Sequence, residues 1–137
     1  YSILAMFAPT SDATASATIS GAISIAATTA SSTFSIDVTA TSSSNYTLSG
    51  TDRNGSVSGS DPDLTFNIGD TINFVVSASG HPFYLKTVAG TGTNNTISDV
   101  TNNGSESATI SWTPTSSGTF YYQCSLHGGM VGTITIQ

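Results

Sequence analysis

Short runs of alternating apolar and polar residues, each closed by a turn signal, recur along this chain. No window carries the i, i+3, i+4, i+7 spacing of an amphipathic helix. In residues 33–38, Phe34, Ile36 and Val38 fall on one face, and Ser35 and Asp37 on the other. Alternation returns at 46–49, 64–68, 71–76, 107–112, 119–123 and 131–136, with a shorter run at Phe83-Tyr84-Leu85. Asp52-Arg53-Asn54-Gly55 reads as a tight hairpin turn, with Asn-Gly supplying positive φ, and Gly69-Asp70 as a second turn. Strands of this length and spacing predict an all-β sandwich or barrel.

The chain has 137 residues, the size of one domain or one domain with an extension. Residues 13–40 are rich in Ala, Ser and Thr, with strand-like stretches at 18–20, 22–25 and 33–38. The polar passage 39–44 reads as a linker. The expected organisation is an arm, strand or linker over 1–45 and a folded domain over 46–137. The chain starts at Tyr1 rather than Met, the expectation for a processed or partial chain, and Tyr1–Phe7 is too short and lacks the basic flank of a complete signal peptide.

Charge excludes several functions. Charged residues make up 7% of the chain, with one Arg, one Lys and a net charge of −6. No basic patch exists to neutralise phosphates, which argues against nucleic-acid binding and against a polybasic membrane contact. No apolar stretch reaches the roughly 18 residues of a membrane-spanning helix. A single cysteine cannot form an internal disulfide. The scarcity of lysine, the heavy use of Ser, Thr, Gly and Asn, and the Asn-X-Ser/Thr triplets at Asn45, Asn54, Asn94 and Asn103 point to an extracytoplasmic setting: periplasm, cell surface or virion.

The lone cysteine carries the chemistry. It lies in Gln123-Cys124-Ser125-Leu126-His127-Gly128-Gly129-Met130, which brings a thiol, an imidazole and a thioether within seven residues, in a loop between two strand-like runs. The only other histidine, His81, follows Gly80 at the end of another strand. Taken singly, each has a plain reading: Cys124 as a small buried hydrophobe, His127 as a loop residue, His81 as a satisfied strand-end residue, Met130 as a gap filler. Together His81, Cys124, His127 and Met130 make a His₂Cys set with a weak axial Met, the ligand set of blue copper. Gly128 and Gly129 are expected to permit the tight turn. Asp61 and Asp63 flank a proline and read as a solvated turn rather than a calcium site.

From residue 46 onward the chain resembles the cupredoxins, the blue-copper family of plastocyanin, amicyanin and pseudoazurin. Residues 63–74 resemble the family's apolar strand, Gly-Asp turn and next apolar strand. Gly80-His81-Pro82-Phe83 resembles the first ligand and its flank, and residues 118–132 resemble the Gly-x-aromatic…Cys-x-x-His…Met-x-Gly ending. The Cys-x₂-His-x₂-Met spacing is the shorter, amicyanin-like loop. The chain departs from the plastocyanin pattern at Pro82, where an Asn ties the two ligand loops, and at Ser125-Leu126, where many members have a Pro. Pro82 has no N–H to donate. The same motifs also resemble, more loosely, cupredoxin-like modules in surface and virion proteins of marine bacteria and their phages.

The resemblance implies a Greek-key β-sandwich with an N-terminal extended arm and one copper ion cycling between Cu(I) and Cu(II). It implies His127 as the imidazole at the solvent edge and His81 as the buried one. Pro82, Phe83, Leu126 and Val131 are expected to form an apolar rim, whereas Phe120-Tyr121-Tyr122 and Trp112 read as core. The expected function is one-electron transfer to a redox protein partner, not enzymatic turnover, because a second copper site and a general base are missing from the sequence. The alternative is a structural subunit of a virion, fibre or cell-surface assembly, whose arm joins neighbouring subunits by strand addition.

Overall fold

The computed structural model describes residues 29–137, and among these no helix forms. The strand-like stretches at 18–25, and the assembly role expected of the arm, fall outside the described residues. Nine strands run in chain order: β1 Thr33–Thr39, β2 Thr47–Asp52, β3 Gly55–Ser60, β4 Leu64–Phe66, β5 Thr71–Ser77, β6 Phe83–Lys86, β7 Thr109–Trp112, β8 Gly118–Cys124 and β9 Val131–Ile136. They make a five-stranded sheet, β3-β2-β1-β5-β7, and a four-stranded sheet, β4-β9-β8-β6. Both sheets are mixed, since β1 pairs parallel with β5 and β4 parallel with β9.

The period-2 pattern decides which faces meet. Ile36, Val38, Leu48, Ile72, Phe74, Val76 and Ile110 from one sheet, and Leu64, Phe66, Phe83, Leu85, Tyr122, Ile134 and Ile136 from the other, are buried in one core cluster. Each fully buried aliphatic or aromatic side chain contributes about 1.5–3 kcal/mol. The result is an all-β sandwich.

Two expectations need correction. The stretch 33–38 does not belong to an arm: as β1 it is the centre strand of the five-stranded sheet, bonded to β2 on one side and β5 on the other. Ile36 and Val38 are fully buried, so the sandwich begins before residue 46 and both edges of β1 are already paired. Asp70 fastens the start of β1. Its carboxylate accepts N–H bonds from Ser32 and Asn67 and a two-pronged contact from Arg53, whose Nη2 also donates to the Ala30 carbonyl. The Arg53 guanidinium lies 5.2 Å from the centre of the Phe34 ring.

The β2–β3 hairpin also differs in detail. Only Gly55 has positive φ, at 114°, and Asn54 does not, so one residue of the Asn-Gly pair supplies the left-handed position. Strand β3, Gly-Ser-Val-Ser-Gly-Ser, has a single apolar residue and forms through its pairing with β2.

Candidate metal centre

Antiparallel register brings the two ligand-bearing segments together. In the β6–β8 pair Phe83 faces Cys124, so the residues just before β6 lie beside those just after β8. Strand β5 ends at Ser77, and the turn that follows places His81 by bonding its N–H to the Ala78 carbonyl at 2.9 Å. Gly80 takes positive φ, 84°, and its N–H donates to Glu106 Oε1 at 2.7 Å.

The loop from Cys124 to Met130 closes on itself. Cys124 N–H donates to the Met130 carbonyl at 2.9 Å, and Met130 N–H donates to the His127 carbonyl at 3.2 Å. The turn expected at Gly128 and Gly129 forms there, closed by that second bond, and neither glycine takes positive φ.

Three of the four predicted ligand side chains converge. His81 Nδ1 and His127 Nδ1 are 3.3 Å apart, and Cys124 Sγ is 3.5 Å from His127 Nδ1. Donor atoms of all three residues lie within 4.8 Å of one another. The imidazole planes are inclined at 46° with ring centres 5.0 Å apart. Cys124 is a free thiol, fully buried, and Leu126 N–H points at its sulfur at 3.5 Å. Met130 is fully buried at the end of the same loop.

The donor set suits a single soft-to-borderline metal ion. Bonds of about 2.0–2.1 Å to imidazole and about 2.3 Å to thiolate, the lengths known for zinc, let one ion span donors up to about 4 Å apart. The measured His–His and Cys–His separations fall inside that limit. Two imidazoles and one sulfur donor suit an ion such as copper better than an oxygen-seeking ion.

Pro82 has no N–H to donate, but its carbonyl accepts the Ser125 N–H at 3.3 Å and so ties the two loops together. A second tie comes from Tyr46, just before β2. Its hydroxyl donates to the carbonyls of His81 and Pro82 at 2.8 and 3.0 Å. Burial, with a smaller contribution from nearby Cys124, pushes the Tyr46 hydroxyl far above its ordinary pKa, so it stays a neutral donor. Beneath the site Tyr46 meets the Phe83 ring edge-on at 4.9 Å, and Phe83 stacks on Tyr122 at 5.3 Å.

The surroundings correct two expectations. His81 and His127 are both half-buried, so the predicted contrast of one exposed and one buried imidazole is not seen. Phe83 is fully buried and belongs to the floor rather than the rim, while Pro82 and Val131 are half-buried and Leu126 is 62% exposed. Tyr122 and Trp112 are core, as expected. Asp63 is exposed, but Asp61 is a half-buried cap on the Tyr46 N–H at 2.9 Å.

Tyr46, Lys86 and Gln123 are the participants that sequence reasoning passed over. Lys86 carried a usable signal, as the chain's only lysine at the end of the apolar run Phe83-Tyr84-Leu85.

No protein-family model matches the chain, and no curated protein matches it. Solved structures do. The copper protein rusticyanin aligns at 20% identity over 77% of this chain and 78% of that one, with a TM-score of 0.52. Rusticyanin from Thiobacillus ferrooxidans aligns at 21% identity over 77% of each chain, also with a TM-score of 0.52. A variant of amicyanin aligns at 25% identity over 56% of this chain and 70% of that one, with a TM-score of 0.40. The two rusticyanin matches give the described residues the cupredoxin fold. Among them no helix is long and apolar enough to cross a membrane.

Proposed function

We propose that this chain is a mononuclear type 1 copper protein that carries one electron to or from a protein partner, with His81, Cys124, His127 and Met130 as the ligands. The observation that carries this reading is the meeting of donor atoms of His81, Cys124 and His127 within 4.8 Å of one another, with His127 Nδ1 3.3 Å from His81 Nδ1 and 3.5 Å from Cys124 Sγ. Copper bound there would supply one-electron Cu(II)/Cu(I) chemistry. The cupredoxin fold supports the same reading.

The protein's own groups would do four things. The imidazoles of His81 and His127 and the Cys124 thiolate would supply the strong donors, and the Met130 thioether a weaker one. The Leu126 N–H, aimed at the sulfur, stabilises thiolate character. The Tyr46 hydroxyl and the Ser125 N–H hold the His81-Pro82 backbone, so the donors stay in place as the charge of the site changes. The exposed Leu126, next to His127, offers an apolar contact for a short-lived encounter with a redox partner. A carrier role, with no substrate turnover, and an extracytoplasmic location complete the proposal; the scarcity of lysine and the Ser/Thr-rich composition support the location.

The test is to add one equivalent of Cu(II) to the metal-free, reduced protein and record the visible spectrum. An intense band in the red region that Cys124→Ser abolishes is the expected result. Its absence, with Cys124 verified as a free thiol, rejects the type 1 assignment.

A further inference from the structure

Gln123, the residue before the thiol, is buried and hydrogen-bonded at both ends of its carboxamide. Its Nε2 lies 2.9 Å from the Cys124 carbonyl oxygen, 3.0 Å from that of His127 and 3.3 Å from that of Met130. Its Oε1 accepts the Gly90 N–H at 3.1 Å. These partners fix the amide's orientation: reversed, it would set an oxygen against three carbonyl oxygens and an NH₂ against an N–H.

The other end of this contact is anchored as well. Gln123 pairs with Tyr84 across β6–β8, so it shares a sheet face with Tyr84 and Lys86. Lys86 is 1% exposed, rare for lysine, and no carboxylate meets it among the described hydrogen bonds and ion pairs. Its Nζ donates instead to the carbonyls of Gly90, at 2.6 Å, and Gly92, at 3.2 Å. Gly92 N–H in turn donates to the Ser125 carbonyl at 2.8 Å. The 90–92 segment is therefore held by Lys86 on one side and bonded to both Gln123 and the Cys124–Met130 loop on the other.

We propose that Gln123 is a positioning residue for the metal centre: one side-chain amide ties the backbone of Cys124, His127 and Met130 together, and the Lys86-anchored 90–92 segment braces it. A seven-residue loop could adjust each donor separately when the charge of the site changes. Joining three of its carbonyls to one amide makes those donors move as a unit, which restricts rearrangement between oxidation states. The inference rests on the copper reading for its spectroscopic consequence alone; the bracing itself is a property of the metal-free chain.

The test uses the whole protein and Gln123→Met, which keeps side-chain length and removes every one of these hydrogen bonds. In the metal-free protein, amide hydrogen exchange at Cys124 and Met130 should speed up by roughly tenfold or more, the effect of losing one or two net hydrogen bonds. Core amides such as those of Phe74 and Ile134 should change much less. Lys86→Met, a second variant in case the first does not fold, should speed exchange at Gly90 and Gly92 and, more weakly, at Cys124 and Met130. A uniform change across core and loop, or no change at the loop, overturns the proposal. With Cu(II) added, Gln123→Met should alter the relative intensities of the visible bands and slow electron self-exchange; identical spectra and rates also overturn it. If wild-type protein forms no such band, the copper reading fails, and the exchange data still decide the role of Gln123.

Discussion

The Tyr46 hydroxyl bonds to two consecutive backbone carbonyls, those of His81 and Pro82, and so joins the entry to β2 with the turn that carries the first histidine. Tyr46→Phe keeps the ring against Phe83 and removes only this donor. The His81 carbonyl then lacks the Tyr46 bond, while that of Pro82 keeps Ser125. Stability should fall by about 1–3 kcal/mol, less than the loss expected from Tyr46→Ala. Urea unfolding of the metal-free protein measures it, and an unchanged midpoint would show that the hydroxyl contributes nothing.

Asp70 and Asp61 should pull the acid stability in opposite directions. The Arg53 guanidinium, helped by N–H bonds from Asn67 and Ser32, lowers the Asp70 carboxyl to about 2. Its folded pKa lies below the unfolded value, so its contribution is complete above about pH 5 and fades as pH falls toward 2. That contribution is about 1–2 kcal/mol, allowing for solvent screening at the partly exposed guanidinium. Burial raises the Asp61 carboxyl despite the N–H bond from Tyr46. Protonating Asp61 therefore relieves a penalty, and its term favours folding slightly more as pH drops through its raised pKa. Carboxyl-carbon NMR titration should show Asp61 protonating well before Asp70, and Arg53→Met should move the Asp70 midpoint upward. Coincident midpoints would contradict this account.

Two glycines near the centre should differ in their tolerance of alanine. A Cβ on Gly132 would run into the Tyr122 ring and hydroxyl, and that hydroxyl is engaged with the Pro62 carbonyl at 2.6 Å. Gly132→Ala should cost about 1–3 kcal/mol, the usual penalty of overpacking. A Cβ on Gly128 would find its nearest neighbour, Thr91 Cγ2, at 3.9 Å, and Gly128 has no positive φ. Gly128→Ala should leave the thermal midpoint nearly unchanged, and a large drop there would mean that the loop needs a conformation only glycine can take.

Met130→Leu separates packing from ligation. Met and Leu have similar volumes, so the metal-free protein should lose less than about 1.5 kcal/mol. With copper bound, loss of the thioether should raise the reduction potential, because the oxidised ion loses a donor. Equal potentials for the two proteins would remove Met130 from the ligand set.

Much of this was legible from period and turn chemistry. The alternating runs at 71–76 and 131–136 became β5 and β9 nearly residue for residue, and the only two histidines fell beside the only cysteine. What escaped notice depends on tertiary approach. Strand β3 has no alternation to detect, because pairing with β2 makes it a strand. The polar stretch 39–44 looks like a linker, yet it joins two adjacent strands of one sheet, which makes β1 part of the sandwich rather than of an arm. Gln123 and Tyr46 act through backbone carbonyls, which leave no mark in the side-chain sequence.

The parallel pairing of β4 with β9 sets a timetable for the thiol. Leu64 waits for Ile134, and Phe66 for Ile136, the strand that also flanks β8 along its length. During synthesis from the N-terminus, Cys124 emerges before this last described strand, and its N–H has no Met130 carbonyl to meet until that residue follows. The nascent chain therefore presents an unshielded thiol for as long as β9 is missing. An oxidant that arrives in that interval meets a thiol that is fully buried once the sandwich is complete.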